Sequence, residues 1–270
     1  MCSGIDPNDN ARQLRSLVAE AAAGGAAMIF TPEMSGLLDQ DRSRAAGATR
    51  NEEDDVALST VRSEAKRSRI WVQLGSLAIR TASNPGDKWV NRSYLISPDG
   101  NIAARYDKIH LFDVDLSPHE SQRESAAYAG GNRAVLASTP DATLGLSICY
   151  DLRFPALYEA LTNAGADILS IPAAFTVPTG KAHWQILLRA RAIEAGAFVV
   201  AAAQYGGHED GRSTYGHSMV VDPWGEILLD MGQENGLGFC NLDLDLVQQV
   251  RSRVPAVANR KSFEMPDKFS

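Results

Sequence analysis

The chain has 270 residues, 44% hydrophobic and 22% charged, a balance that supports one large globular domain or two small ones. Its formal net charge of −7 argues against a nucleic-acid partner, because phosphate binding needs clustered lysine and arginine. No run of about 18 or more apolar residues occurs, so no membrane span is expected. Residues 1–10 lack the charged-then-apolar pattern of a signal peptide. Cys2, Cys149 and Cys240 stand far apart without metal-ligand spacing, which suits a reducing cytoplasm and predicts no metal.

Residues 11–24 read as a helix, with Leu14, Leu17, Val18 and Ala21 at helical spacing and Gly24-Gly25 ending it. Residues 26–30 read as a buried strand and 52–69 as a second helix. A strand over 70–80 runs to a turn at Asn84-Pro85-Gly86, and 89–97 and 101–106 flank the hairpin signal Pro98-Asp99-Gly100. Residues 107–132 have little periodicity and read as a long loop, a feature that is usually functional in a compact domain. Strands near 134–138 and 143–149 come next. A helix after Pro155, a strand over 167–171, a helix over 181–195 and a strand over 198–204 follow. Residues 218–229 read as a hairpin turning at Asp222-Pro223-Trp224-Gly225, residues 236–243 as a strand and 244–253 as a last helix. This alternation predicts one α/β domain over 1–270, with a mixed sheet or a pair of sheets covered by helices. The tail, 255–270, has little core signal and is expected to pack on the surface or on a partner chain.

Three ionisable residues each follow an apolar run: Glu33 after 27–32, Lys108 after 102–107, and Cys149 after Leu146-Ser147-Ile148. Strand ends are where an α/β fold builds its site. A thiol at a strand-to-helix corner faces the positive end of the helix dipole, which stabilises a thiolate. Taken singly, Cys149 fits a buried structural cysteine equally well. Glu33 alone fits a solvated cap, and Lys108 alone a surface charge.

The segments Phe30-Thr31-Pro32-Glu33-Met34, Tyr106-Asp107-Lys108-Ile109-His110-Leu111-Phe112-Asp113 and Ile148-Cys149-Tyr150-Asp151-Leu152-Arg153-Phe154-Pro155 resemble the three signature regions of the nitrilase (carbon–nitrogen hydrolase) superfamily. They stand in that family's order and separations. The resemblance covers residues 6–255 and implies a four-layer α-β-β-α sandwich that pairs through its helices into a homodimer or higher oligomer. It implies Cys149 as nucleophile and Glu33 as general base. It also implies an oxyanion hole of Lys108 and the Tyr150 backbone N–H, with Glu124 orienting Lys108 and the substrate amide. It further implies a strand ahead of Cys2-Ser3-Gly4-Ile5-Asp6, at whose end this sequence starts.

The chemistry fits those residue types. An amide is a poor electrophile with a poor leaving group, and a thioester intermediate splits its hydrolysis into two easier steps. The thiol needs a base, and the tetrahedral oxyanion needs fixed positive charge. No metal or organic cofactor is required.

The run Cys149-Tyr150-Asp151-Leu152-Arg153 is similar to the Nit1/Nit2-like amidase branch, as are residues 174–184, 189–194 and 215–225. True nitrilases have Trp-Glu after the cysteine and carbamoylases Asn-Asp. The branch implies a small 2-oxo acid amide as substrate, first of all deaminated glutathione, giving 2-oxoglutarate and cysteinylglycine. The alternatives are 2-oxoglutaramate, the ω-amidase substrate, an N-carbamoyl or aliphatic amide, or a catalytically silent binding or scaffold protein. Arg153 is the candidate for gripping a substrate carboxylate, or a structural arginine on the following helix. Phe175, Thr176 and Trp184 are candidates for the pocket wall, Trp184 equally for the core. His183 and His217 fit as structural histidines.

Overall fold

The computed structural model describes residues 1–81, 88–117 and 120–265; the expected turn at Asn84-Pro85-Gly86 and the end of the tail lie outside them. Helix α1 (Pro7–Ala23) starts earlier than its apolar spacing shows. The Asp6 carboxylate caps it by accepting the Asn8 N–H, and Pro7 fills a first-turn position that needs no donor. Strand β1 (Met28–Phe30), helix α2 (Arg42–Ala48), strand β2 (Arg50–Asn51) and helix α3 (Val56–Ser68) follow. Sequence reasoning missed α2 because it has no apolar stripe; Asp41 caps it through the Ser43 and Arg44 N–H groups. The expected helix over 52–69 is divided at Asp55, which caps α3 after a short 3₁₀ turn.

Strands β3 (Trp71–Arg80), β4 (Trp89–Ile96) and β5 (Ile102–Asp107) form an antiparallel meander. Both β1 and β2 pair with β3 in parallel, completing a five-stranded sheet. The expected loop over 107–132 contains a polar hairpin, β6 (Asp113–Ser117) with β7 (Glu120–Arg123), then a 3₁₀ turn at Glu124–Ala126. Its strands carry too few apolar residues to show a period.

Strand β8 (Val135–Ser138) opens the second sheet. Strand β9 (Thr143–Leu146), helix α4 (Pro155–Asn163), strand β10 (Ile168–Ser170), helix α5 (Val177–Ala195) and strand β11 (Phe198–Ala201) then form two parallel crossovers. A small hairpin, β12 (Tyr205–Gly207) with β13 (Ser213–Tyr215), precedes β14 (Met219–Val221), β15 (Ile227–Asp230) and α6 (Asp245–Arg253). The six strands lie in the order β15-β14-β11-β10-β9-β8.

Leu14 and Val18 of α1 pack with Leu58 and Val61 of α3 against Val72 and Leu74 of β3. Leu95 and Tyr106 on the first sheet share a core with Leu144, Leu169 and Val199 of the second, and this core continues to Leu161 of α4 and Leu188 of α5. The layers are therefore helices, sheet, sheet, helices: a four-layer α-β-β-α sandwich. The tail packs on its surface, where Arg260 donates to Asn163 Oδ1 of α4 at 2.6 Å.

One expected strand is corrected. Residues 236–243 form no ladder. From Phe239 to Leu244 they alternate between exposed and half-buried, the pattern that suggested a strand, but no described strand pairs with them. They line a groove of about 830 Å³ together with β1, whose only sheet neighbour among the described residues is β3. Among the described residues no helix is long and apolar enough to cross a membrane.

Candidate active site

Glu33 stands just beyond β1, in a segment that crosses β3 at Gly75. Thr31 Oγ1 accepts the Gly75 N–H at 3.0 Å, and the Ser76 hydroxyl accepts the Met34 N–H at 2.9 Å. A Cβ at Gly75 would lie 2.0 Å from the Thr31 carbonyl oxygen, so only glycine admits this crossing. Gln204 Nε2 donates to the Glu33 carbonyl at 3.0 Å and ties the segment to the second sheet.

Lys108 follows β5. Its N–H donates to the Asn91 carbonyl at 2.9 Å, and its carbonyl accepts the Gly131 N–H at 2.8 Å. Its ammonium lies 2.9 Å from Glu33 Oε1 and 2.9 Å from Glu124 Oε2, with the side chain 2% exposed. Asn91 Nδ2 spans the same carboxylates, donating to Glu33 Oε1 at 2.9 Å and Glu124 Oε1 at 3.1 Å. Backbone donors hold the outer oxygens: Ala174 N–H reaches Glu33 Oε2 at 2.9 Å, and Phe112 N–H reaches Glu124 Oε2 at 2.7 Å. Burial pulls the Lys108 ammonium toward neutrality, but Glu124 and Glu33 outweigh it and hold its pKa well above the ordinary lysine value.

Cys149 lies three residues beyond the end of β9 and opens a 3₁₀ turn, Cys149–Arg153, ahead of α4. Its φ is 49°, a left-handed conformation costly for a side chain with a Cβ. The turn is braced by the buried Asp151 carboxylate. That group accepts the Ile148 N–H at 2.9 Å, the Tyr106 hydroxyl at 2.7 Å and the His110 N–H at 3.0 Å. One carboxylate thus ties the cysteine's corner to the residues flanking Lys108.

The expectation of a dipole-stabilised thiolate is overturned. Burial first, and then the Glu33 carboxylate, push the Cys149 thiol well above its usual pKa, so the resting sulfur keeps its proton. A single short turn is too weak a dipole to compete. Burial works to raise the Glu33 pKa, yet Lys108 and hydrogen bonds from the Cys149 thiol, Lys108 and Asn91 bring it below the ordinary glutamate value. The site pairs a charged carboxylate with a neutral thiol, so the arrangement can move a proton from sulfur to Glu33 as sulfur attacks. The Tyr150 N–H donates to no group among the described residues.

Glu33, Lys108, Glu124 and Cys149 line one cavity of about 190 Å³, walled in part by Tyr150, Phe175 and Thr176. Two expected substrate-binding residues, the wall candidate Trp184 and the carboxylate partner Arg153, stand outside it. Trp184 is buried behind Phe175, ring centroids 4.8 Å apart, with its indole N–H on the His217 carbonyl at 2.8 Å; it backs the wall rather than forming it. The Arg153 guanidinium lies over the Phe175 and Tyr150 rings, at 5.5 and 5.9 Å, with His183 Nδ1 at 3.3 Å. The larger groove beside β1 is lined by none of the four. Among the described residues no cluster of histidine, cysteine and acidic side chains could hold a metal ion.

Sequence reasoning missed Asn91 and Arg212, both on the cavity. Asn91 had a signal: it opens a polar stretch, Asn91-Arg92-Ser93, between Trp89-Val90 and Tyr94-Leu95 of an expected strand, where a buried polar side chain needs a polar partner.

Residues 2–252 match the carbon-nitrogen hydrolase family model. The chain is 39% identical to the deaminated glutathione amidase of Dictyostelium discoideum, over 94% of this chain and 89% of that one. It is 38% identical to the Bos taurus protein of the same name, over 95% and 78%. The crystal structure of the C. elegans NitFhit protein superposes with a TM-score of 0.88 at 35% identity, covering 97% of this chain; the chain spans 63% of that protein's length. A Nesterenkonia amidase, whose active-site cysteine carries a Michael adduct of acrylamide, superposes with a TM-score of 0.76 at 27% identity, over 94% and 95%. With its two-sheet sandwich, its buried thiol beside a carboxylate, and these relatives along nearly its whole length, the chain belongs to the carbon-nitrogen hydrolase family and is a hydrolase of non-peptide C–N bonds in amides.

Proposed function

We propose that the chain is a deaminated glutathione amidase acting through a thioester on Cys149. The observation that carries this reading is the convergence of Cys149, Glu33, Lys108 and Glu124 on one cavity, in a chain whose relatives at 38–39% identity bear that name.

The Cys149 sulfur attacks the amide carbonyl as its proton passes to Glu33. The oxyanion forms between the Lys108 ammonium and the Tyr150 N–H; removing one such donor typically costs about 2.7–4 kcal/mol of the barrier. Glu33 returns the proton to the amine nitrogen, the C–N bond breaks, and cysteinylglycine leaves. Glu33 then takes a proton from water attacking the thioester, releases 2-oxoglutarate and restores the thiol. Lys108 stays protonated throughout, as its two carboxylate partners require.

Purified protein is expected to show a higher kcat/KM for deaminated glutathione than for 2-oxoglutaramate. A preference for 2-oxoglutaramate would make it an ω-amidase instead.

The reading includes a homodimer joined through α5 in the cytoplasm. The exposed Ile186 and Ile193 on that helix, 70% and 52% accessible, support the dimer, and three unpaired cysteines support a reducing compartment. Sedimentation should give twice the chain mass for the native protein and the single-chain mass for Ile186→Glu; a monomeric native protein refutes the dimer.

A further inference from the structure

Deep in the cavity two carboxylates, Glu33 and Glu124, face one ammonium, Lys108, so the interior is net negative. Deaminated glutathione is itself a dianion, with one carboxylate beside the 2-oxo group and a second on its terminal glycine. A pocket that admits it needs cationic compensation. Three arginines also line the cavity, Arg42, Arg123 and Arg212, with Asp39, whose carboxylate is held by Arg44.

They differ in what they have left to give. Arg123 is engaged with both Asp115 oxygens at 2.8 and 2.9 Å and with the Val114 and Gln122 carbonyls. Arg42 is exposed and donates to the Arg123 carbonyl at 2.9 Å. Arg212 is half-buried and held by one edge only. Its Nε donates to Asp210 Oδ2 at 2.7 Å, and its N–H to Asp210 Oδ1 at 3.0 Å. Asp210 has a fully buried side chain and is itself fixed by the Gln40 N–H at 2.9 Å. The two terminal amino groups of Arg212 make no hydrogen bond among the described residues. A guanidinium clamped through Nε presents those two groups as a rigid fork, the geometry that grips a carboxylate in bidentate fashion.

We propose that Arg212 binds the carboxylate of the substrate's leaving amine, and so selects amides whose amine portion ends in a carboxylate. This rests on the deaminated glutathione reading. Arg212 lines the cavity, whereas Arg153 stands outside it against the Tyr150 and Phe175 rings.

The test compares deaminated glutathione with its glycinamide counterpart, in which the terminal carboxylate is a neutral carboxamide. The readout is the ratio of the two kcat/KM values, which partial unfolding does not move. Native enzyme is expected to favour the acid by about 10- to 100-fold, the scale of a charge-assisted pair. In Arg212→Gln the ratio should fall toward unity, and Arg212→Lys should keep part of it. Because Arg212→Gln strands the buried Asp210 charge, the double variant Asp210→Asn/Arg212→Gln is measured beside it and should show the same collapse. A native ratio near unity, or a ratio unchanged in the variants, overturns the proposal.

The substrate reading fails separately, if native enzyme cleaves neither compound. Arg212 is then judged by protection of Cys149 from iodoacetamide. Alanylglycine should protect native protein at about a tenth of the concentration that alanylglycinamide needs, and the two should be equal in Arg212→Gln. Equal protection of the native protein overturns the proposal.

Discussion

Replacing Lys108 with methionine is expected to abolish turnover and to destabilise the fold by about 3–5 kcal/mol, the cost of leaving buried charge without its partner. Glu33 and Glu124 would face each other with Asn91, the Cys149 thiol and two backbone N–H groups as their remaining donors. One of them would take up a proton, its pKa raised by burial and by its neighbour. The sign follows. A group whose folded pKa is raised adds stability below its unfolded pKa and loses it as pH rises through the folded one. Lys108→Met should therefore lie closest to native stability in acid and fall away toward neutral pH. Activity goes for two reasons: the oxyanion loses its charged donor, and a protonated Glu33 cannot act as base. Urea melts at two pH values check the first claim. The companion variant Lys108→Met/Glu124→Gln separates stability from chemistry, because it should regain much of the lost stability and none of the turnover. A Lys108→Met protein as stable as native across pH would refute the buried cluster.

The second large effect is at Cys149. Cys149→Ala should lower amidase turnover by at least about four orders of magnitude, as loss of a covalent nucleophile does. Native enzyme quenched during turnover should carry an acyl mass on the peptide containing Cys149, and the variant none. Full activity in Cys149→Ala would refute the thioester mechanism on Cys149. Stability should move little or in the opposite direction. At a φ of 49° an alanine keeps the strain, whereas Cys149→Gly relieves about 1 kcal/mol of it. The glycine variant is expected to be as inactive as the alanine one and to melt at a higher temperature. A trade of stability for a presented thiol is what such strain implies.

Much of this could be seen along the chain. Glu33, Lys108 and Cys149 each follow an apolar run, and each run is a strand whose end opens on the cavity. Alternating strand and helix patterns predict an α/β domain, and the four layers are what the family resemblance implies. What stayed hidden is physical in each case. The Cys149 protonation state depends on Glu33, brought beside it across 116 positions of sequence by two sheets packing face to face. Trp184 was ambiguous because one aromatic ring serves a wall or its backing equally well, and only the His217 carbonyl decides. Arg212 lies in a polar hairpin with no pattern to mark it; its role depends on Asp210 and Gln40, and Gln40 comes from the far end of the chain. Residues 236–243 carry a strand's alternation, but a ladder requires a neighbour that local pattern cannot supply.

The single-sided attachment of β1 bears on how the enzyme would fail when warmed. Glu33 is carried at the end of a strand held by three register pairs, Met28 with Trp71, Ile29 with Val72 and Phe30 with Gln73, and among the described residues no strand pairs with its other edge. Regions with few backbone partners open at lower free energy than the rest of a fold. The proton acceptor therefore rides on a strand of three residues, while Cys149 follows β9, paired on both edges, and Lys108 follows β5, held to β4 by five register pairs. Heat would misplace the base before it unfolds the sandwich, so catalysis would fade while the far-ultraviolet signature of the sheets persists.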